Sequence, residues 1–341
     1  MRALVNRKAG GPDVLAVEEQ PDPSPAEGEV RVAVKRAGLN FSDIAARVGL
    51  YPDAPKFPMV VGYEVGGVVD RLGPGVKTLK EGDRVTAMCR FGGQVTLRCV
   101  PESQTRRIPD AMSFDEAAAL PVNYLTAYQM LYWTAPLKPG MTVLVHMAAG
   151  GVGLSAIQLC RAVENVTILG TSSASKHDFL RSQGVHHPID YHSQDFVAET
   201  MRVTGGRGAD RILDALGGKN WERSLSALRS GGTVFAFGWA NMVDGEKRNY
   251  LHMAKEFLSM RKWSPFELMG ANKGIIGINL GHLWHEGALM GSHLDALLAM
   301  YERGHVKPHV DRVFPLSKAA DAHAYVQARK NIGKVVFDVE A

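Results

Sequence analysis

His146-Met-Ala-Ala-Gly-Gly-Val-Gly153, HMAAGGVG in one-letter form, stands between the apolar run MTVLV and the amphipathic run LSAIQLCRAV. Apolar residues, then glycines, then a helical pattern predict a strand that turns tightly into a helix. Such a turn suits an anion, because the first amides of a helix lack intrahelical partners and lie at its positive end. The spacing is Ala148-x-Gly150-x-x-Gly153, with Gly151 and Val152 between the glycines. It keeps the second and third glycines of the dinucleotide fingerprint and replaces the first by alanine.

Around this loop the pattern repeats. From about 142 to 280 the β-rich runs TVLVHM, NVTILGT, HHPIDY, ADRILDALG, GTVFAFG and GIIGINL alternate with helical stretches that fill the first four gaps. That rhythm predicts right-handed crossovers and a parallel, doubly wound sheet. In the first helix Val152, Ala156, Leu159, Cys160 and Val163 recur at helical spacing, giving it one face for the sheet. Before about residue 120 the runs are short, β-rich and broken by Pro/Gly clusters, as in an antiparallel barrel-like domain. A helical run, HLDALLAMYERG, and a strand-like GKVVFDV close the chain, and this tail is expected to return to the first domain. The expected division is 1–122 with 283–341 against 123–282.

Composition narrows the function classes. The 341 residues are 45% hydrophobic and 22% charged, with a net charge of +4 and no Lys/Arg block. A soluble globular chain fits these values, and no nucleic-acid partner is expected. The first residues lack the apolar core of a signal peptide, and no run reaches the roughly 18 apolar residues of a membrane span. A cytoplasmic location and no transmembrane segment are expected. Cys89, Cys99 and Cys160 are widely spaced without a CxxC, which argues against a disulfide framework and a four-cysteine zinc lobe. The histidines, His186, His187, His282 and His285 among them, show no paired ligand spacing and read as loop and surface residues.

The second strand ends in Thr171-Ser-Ser-Ala-Ser-Lys176, where an Asp or Glu would hold the ribose hydroxyls of NADH. Hydroxyls from Ser172 and its neighbours, with the ammonium of Lys176, suit a 2′-phosphate that a carboxylate would repel. The stretch must also cap the following helix. Tyr191, just past the third strand, either adds a hydroxyl to that phosphate or is a solvent-facing loop residue. The cofactor expected is NADPH. Loops at Phe237-Gly238-Trp239 and Gly277-Ile278-Asn279 end the fifth and sixth strands, at the sheet edge where ligands sit.

NFSDIAARVGLY (40–51), GYEVGGVV (62–69), GDRV (82–85), LTAY (125–128), AAGGVG (148–153), DALGG (214–218) and the closing GKVVF resemble the zinc-lacking quinone oxidoreductases of the medium-chain dehydrogenase/reductase superfamily. TSSASKHDFLRSQGVHHPIDYH, GWANMVDGEKRNY and GHVKPHVD are similar to its vesicle amine transport protein-like branch. The resemblance runs essentially end to end. It implies a GroES-like β-barrel catalytic domain, split around a Rossmann domain that binds NADPH in the cleft between them. It also implies a homodimer joined through the Rossmann edge strand.

Zinc alcohol dehydrogenases carry a Cys, and then a His-Glu pair, where this sequence has Asn40 and Tyr63-Glu64, so no zinc is expected. Glu64 reads as a structural partner of the loops. The substrate should then be electrophilic already, a quinone or an α,β-unsaturated carbonyl. The resemblance implies that Asn40 and Tyr51 orient the nicotinamide and polarise or protonate the product oxygen, with Tyr63 a third candidate. The competing readings are a turn residue for Asn40, a core aromatic for Tyr51 and proton delivery from solvent. Thr126 is carried over as a nicotinamide-side contact, and Asn123, Leu216 and Arg329 as further cofactor contacts.

Between the last two loops lies a long insertion rich in Met, Phe and Trp. Met253, Phe257 and Met260 recur at helical spacing, so most of it reads as a helix that packs on the Rossmann domain or in a dimer contact. Trp239, Met242, Trp263 and Phe266 are candidates to wall an apolar substrate pocket. Two rival functions stay open. One is an NADPH-binding protein with little turnover that binds lipid, membrane protein or RNA under cofactor control; the other is a lens-type or scaffold protein that retains the fold.

Overall fold

The computed structural model describes residues 1–243 and 249–341, with Tyr250 by its backbone alone. These fall into two compact units, one made of residues 1–125 and 280–341 and the other of the described residues between them. The segment DGEKR (244–248) of the insertion lies outside the described residues.

The first unit opens with Arg2–Asn6 (β1), Leu15–Glu19 (β2) and the eleven-residue Glu29–Leu39 (β3). Phe41–Arg47 (α1) follows, then Met59–Val60 (β4), Glu64–Leu72 (β5), Arg84–Met88 (β6), Leu97–Pro101 (β7) and Thr105–Arg107 (β8). Phe114–Ala119 (α2) and Pro121–Tyr128 (α3) end this part of the chain. Ser113 starts α2 through a capping box: its hydroxyl accepts the Glu116 amide at 3.2 Å while the Glu116 carboxylate takes the Ser113 amide at 2.9 Å.

In the second unit Thr142–Val145 (β9) leads into Gly151–Arg161 (α4), and the alternation continues through Thr167–Ser172 (β10), His177–Ser182 (α5), His187–Asp190 (β11) and Phe196–Val203 (α6). Ala209–Asp214 (β12), Lys219–Ser226 (α7), Leu228–Ala236 (β13), Tyr250–Ser259 (α8), Pro265–Ala271 (α9) and Gly274–Gly277 (β14) complete it. All neighbouring strands are parallel, in the order β11-β10-β9-β12-β13-β14. This is the doubly wound order, with its reversal between β9 and β12.

The chain ends with Gly287–Glu302 (α10), Val310–Pro315 (β15), Ala319–Gln327 (α11) and Lys334–Asp338 (β16) in the first unit. There β16 pairs antiparallel with β3, which also pairs with β5 and β7. Alternate valines of β3 (Val30, Val32, Val34) pack with Val65, Val85 and Phe337 in the core of the unit. One pair departs from the antiparallel pattern. β15 and β16 are parallel, because α11 supplies the crossover that a parallel pair requires.

Two expectations are corrected. The helix α4 does not offer one face only: every residue from Gly153 to Cys160 is buried. A turn of π-helix, Gln129–Thr134, contributes to its cover, and the Tyr132 hydroxyl donates to the Leu159 carbonyl at 3.0 Å. Nor are the histidines all peripheral, since His146, His293 and His323 are buried. Among the described residues no helix is long and apolar enough to cross a membrane.

His323 is fully buried on α11, its ring stacked on Phe337. Burial, helped by the nearby Arg47 cation, pushes its pKa down to about 3 from 6.5. Between these values the unfolded chain takes up a proton that the folded chain refuses, so stability falls as pH falls, by up to about 1.4 kcal/mol per pH unit. His323→Met should flatten this part of the acid limb. Thermal melts from pH 7 to 4 test it, and an unchanged slope against the parent protein would refute the assignment.

Candidate active site

The cofactor candidates that follow the strands of the second unit lie along the carboxyl edge of its parallel sheet. After β9 the chain turns through Met147, at φ 52°, and Gly150 caps α4. A Cβ on residue 153 would lie 2.5 Å from the carbonyl oxygens of both Met147 and Ala148, so only glycine lets the helix start this close to the strand. Alanine at 148 is tolerated because its neighbour on β10 is Gly170, where a Cβ would meet the Ala148 methyl at 2.8 Å. The glycine missing from the fingerprint is supplied one strand away. The first-turn amides at Gly151, Val152 and Gly153 are those that a helix leaves without internal partners.

Ser172 ends β10, buried, and its hydroxyl donates to the Ser173 carbonyl at 3.0 Å. The hydroxyls of Ser173 and Ser175 are 3.1 Å apart, and Lys176 closes the short turn Ala174–Lys176. The stretch provides the cap positions of this turn and of α5, Ser173 and Lys176, though neither caps through a side-chain hydrogen bond. The Tyr191 amide donates to the Ser172 carbonyl at 3.3 Å, and its side chain is 48% exposed. Asp190 beside it is engaged in its own turn, accepting from the His192 amide at 3.2 Å and the Ser193 hydroxyl at 2.7 Å.

Further along the edge, Phe237 donates its amide to the Asp214 carbonyl at 3.1 Å, and Ile278 to the Ala236 carbonyl at 2.9 Å. Leu216 lies against the following loop, its carbonyl accepting the Asn241 amide at 3.0 Å. Gly238 passes close to Ala215, and Trp239, 42% exposed, begins the turn that holds Met242. Thr126 is buried on α3.

The suggested substrate wall does not assemble as a set. Trp263 packs against the core beneath the sheet with Leu268 and Ile275, and Phe266 projects outward, 83% exposed. Met253 and Met260 are half-buried, whereas Phe257 is exposed. Only Trp239 and Met242 share one turn.

The substrate-side candidates of the first unit surround a buried polar cluster. Asn40 caps α1, and its amide donates to Asp43 at 2.8 Å. Its side chain donates from Nδ2 to Glu64 Oε1 at 2.9 Å and accepts from Lys334 Nζ at 2.6 Å. Lys334 also forms a close ion pair with Glu64, whose second oxygen accepts the Val122 amide at 2.7 Å. Asp43 further accepts the Gly62 amide at 2.9 Å. Burial pushes its carboxyl up to about 7 against the pull of those amides and of Lys334.

Tyr51 and Tyr63 meet edge to face with ring centres 6.3 Å apart, and both meet Phe91. Burial pushes the Tyr63 phenol well up, so it stays protonated. Asn123 is buried on α3, and Arg329 sits exposed at φ 56° after α11. Sequence reasoning missed Lys334 and Asp43, although the first lies in GKVVF and the second in NFSD.

Known proteins share this organisation. Residues 26–121 match the alcohol dehydrogenase GroES-like domain and residues 183–337 the zinc-binding dehydrogenase domain. The chain is 44% identical over 339 residues to the synaptic vesicle membrane protein VAT-1 homolog of Homo sapiens, covering 99% of this chain and 86% of that one. A crystal structure of the human VAT-1 homolog-like protein matches with a TM-score of 0.87 at 36% identity, over 100% of this chain and 98% of that chain. Escherichia coli quinone oxidoreductase complexed with NADPH matches with a TM-score of 0.87 at 29% identity, over 99% and 100%.

The zinc in the second domain's description has no fitting donors at the expected positions. They hold a carboxamide, a phenol and a carboxylate already committed to Lys334 and Val122. Among the described residues no group of three His, Cys, Asp or Glu side chains stands where it could hold a metal ion.

Removing one partner of a buried ion pair leaves the other charge uncompensated, at a cost of about 3–5 kcal/mol. Lys334→Met should therefore lower unfolding stability by that much in urea denaturation, and adding Glu64→Gln should restore most of it. A loss unchanged in the double variant would contradict the pairing.

Proposed function

The chain belongs to the medium-chain dehydrogenase/reductase superfamily, in its VAT-1-like quinone oxidoreductase branch, and we propose that it is an NADPH-dependent reductase of quinones or α,β-unsaturated carbonyls. The observation that carries this reading is the end of β10, where hydroxyls and the Lys176 ammonium occupy the place of a ribose-binding carboxylate, with Tyr191 alongside. A ribose 2′-phosphate is the anion they fit.

The residues divide the remaining work. The first amides of α4, at Gly151, Val152 and Gly153, receive the pyrophosphate, favoured by the helix dipole. Leu216, Phe237, Gly238, Trp239 and Ile278 border the dinucleotide, and Asn123, Thr126 and Arg329 make further contacts with it. When bound, the reduced nicotinamide supplies the hydride. Asn40, held by Glu64 and Lys334, keeps a second Nδ2 hydrogen for a ligand oxygen. One well-aimed donor at such an oxygen stabilises the transition state by about 2.7–4 kcal/mol. Tyr63 serves as a hydrogen-bond donor, its deprotonation disfavoured by burial, and Tyr51 is the candidate proton source. Trp239 and Met242 border the substrate.

The same reading includes a homodimer through β14, whose outer edge has no strand neighbour among the described residues. A second reading, an NADPH-binding protein with little turnover that docks on lipid or a membrane protein, is favoured by one feature. Leu251, Leu258, Phe266 and Met269 are all strongly exposed on α8 and α9.

Titration with NADPH and NADH, followed by cofactor oxidation against a panel of quinones and enones, tests the proposal. NADPH should bind more tightly. Lys176→Ala should weaken it roughly ten- to hundredfold, the value of a lost charge-assisted hydrogen bond, and leave NADH unchanged. Preference for NADH would overturn the phosphate assignment. Tight NADPH binding with no acceptor turned over would favour the second reading.

A further inference from the structure

His146, the residue that opens the glycine loop, is buried where the strand order of the parallel sheet reverses. Its Nε2 lies 3.2 Å from the Ser224 hydroxyl on α7, and its Nδ1 lies 3.1 Å from the Thr171 hydroxyl on β10. The Phe196 ring meets the imidazole edge to face, with centres 4.6 Å apart.

The partners of these groups fix the direction of each bond. Asp214 is buried at the end of β12 and accepts from four donors: the amides of Leu216 at 2.8 Å and Gly217 at 3.4 Å, Asn220 Nδ2 at 2.8 Å and the Ser224 hydroxyl at 2.7 Å. Ser224 spends its hydrogen there and can only accept from His146, so the imidazole proton is on Nε2. Nδ1 is then bare and accepts from Thr171. With its own hydrogen spent, the Thr171 oxygen accepts the Met147 amide at 3.3 Å. Burial holds the His146 pKa below its ordinary value, although Asp214 pulls the other way. The result is a one-way chain from Met147 through Thr171, His146 and Ser224 to Asp214.

Its two ends are loops of the cofactor cradle. Met147 begins the glycine turn, and its carbonyl accepts the Gly150 amide at 2.8 Å. Asp214 gathers the amides of Leu216 and Gly217 on the far side of the reversal point. We propose that His146 is a positioning residue that, as its neutral Nε2–H tautomer, ties the glycine loop to the β12–α7 loop and so sets the geometry in which both meet the dinucleotide. The inference rests on the reading of this edge as the cofactor site, but the bond order within the chain does not.

The test combines binding and spectroscopy on the full chain. Thr171→Val removes the link at Nδ1 and keeps the side-chain shape, Thr171→Ser restores the hydroxyl, and Ser224→Ala removes the link at Nε2. Thr171→Val and Ser224→Ala should each weaken NADPH about five- to tenfold, the equivalent of one net hydrogen bond, while Thr171→Ser stays within about twofold of the parent. In the parent protein, 15N-histidine NMR should show His146 neutral with its proton on Nε2, and that signal should shift when NADPH is added.

Unaltered NADPH affinity in folded Thr171→Val would overturn the positioning role. A proton on Nδ1, or a His146 signal blind to bound NADPH, would overturn it even if the variants failed to fold. A parent protein with the Nε2–H tautomer and no affinity for NADPH would refute the cofactor reading and, with it, the role of the chain in binding.

Discussion

Two carbonyl oxygens, those of Met147 and Ala148, stand 2.5 Å from where a side chain on residue 153 would begin. Because that side chain is absent, α4 can start directly above the end of β9 and present its first amides at the carboxyl edge of the sheet. The close approach propagates sideways. Ala148 fills the space left by Gly170, the Ala148 amide donates to the Thr171 carbonyl at 3.0 Å, and β10 is thereby carried to its hydroxyl-rich end at Ser172. Of the cofactor candidates, Ser172 and Lys176 lie at and just beyond the end of the strand that packs against this junction.

Both units rely on buried polar groups whose partners are fully specified. A buried charge without a partner costs several kcal/mol, so Glu64 and Lys334 are tolerated only as a pair, and that pair fixes the carboxamide of Asn40 on both sides. In the parallel-sheet unit the same logic applies to neutral groups. His146 is acceptable in the interior because Thr171 and Ser224 satisfy both ring nitrogens, and Ser224 is itself ordered by Asp214. Apolar packing makes the units compact, and these networks select which loops come together.

The parts of the fold that depend on local pattern were legible in the sequence. Alternating β-rich and helical runs foretold the six parallel strands, and GKVVFDV foretold the closing strand. What escaped was set by distance along the chain. Lys334 reaches Asn40 across 294 positions, and no spacing rule connects them. His146 read as peripheral with the other histidines because they show no paired spacing, yet β10 and α7 close over it from residues 25 and 78 positions away. Periodicity also misjudged α4, since it reports which residues are apolar but not that the π-helical turn covers its outer side. Trp263 and Phe266, grouped by composition, diverged because they lie on opposite sides of the start of α9.

On the function proposed above, the loops along this sheet edge form one nicotinamide dinucleotide cradle. Hydrogen–deuterium exchange of the whole chain, with and without NADPH, tests it without altering a residue. NADPH should slow exchange together in the segments around 147–154, 171–177, 214–217 and 237–239, the four loops that the strand order brings to one edge. Protection confined to other segments, or none at saturating NADPH, would contradict it.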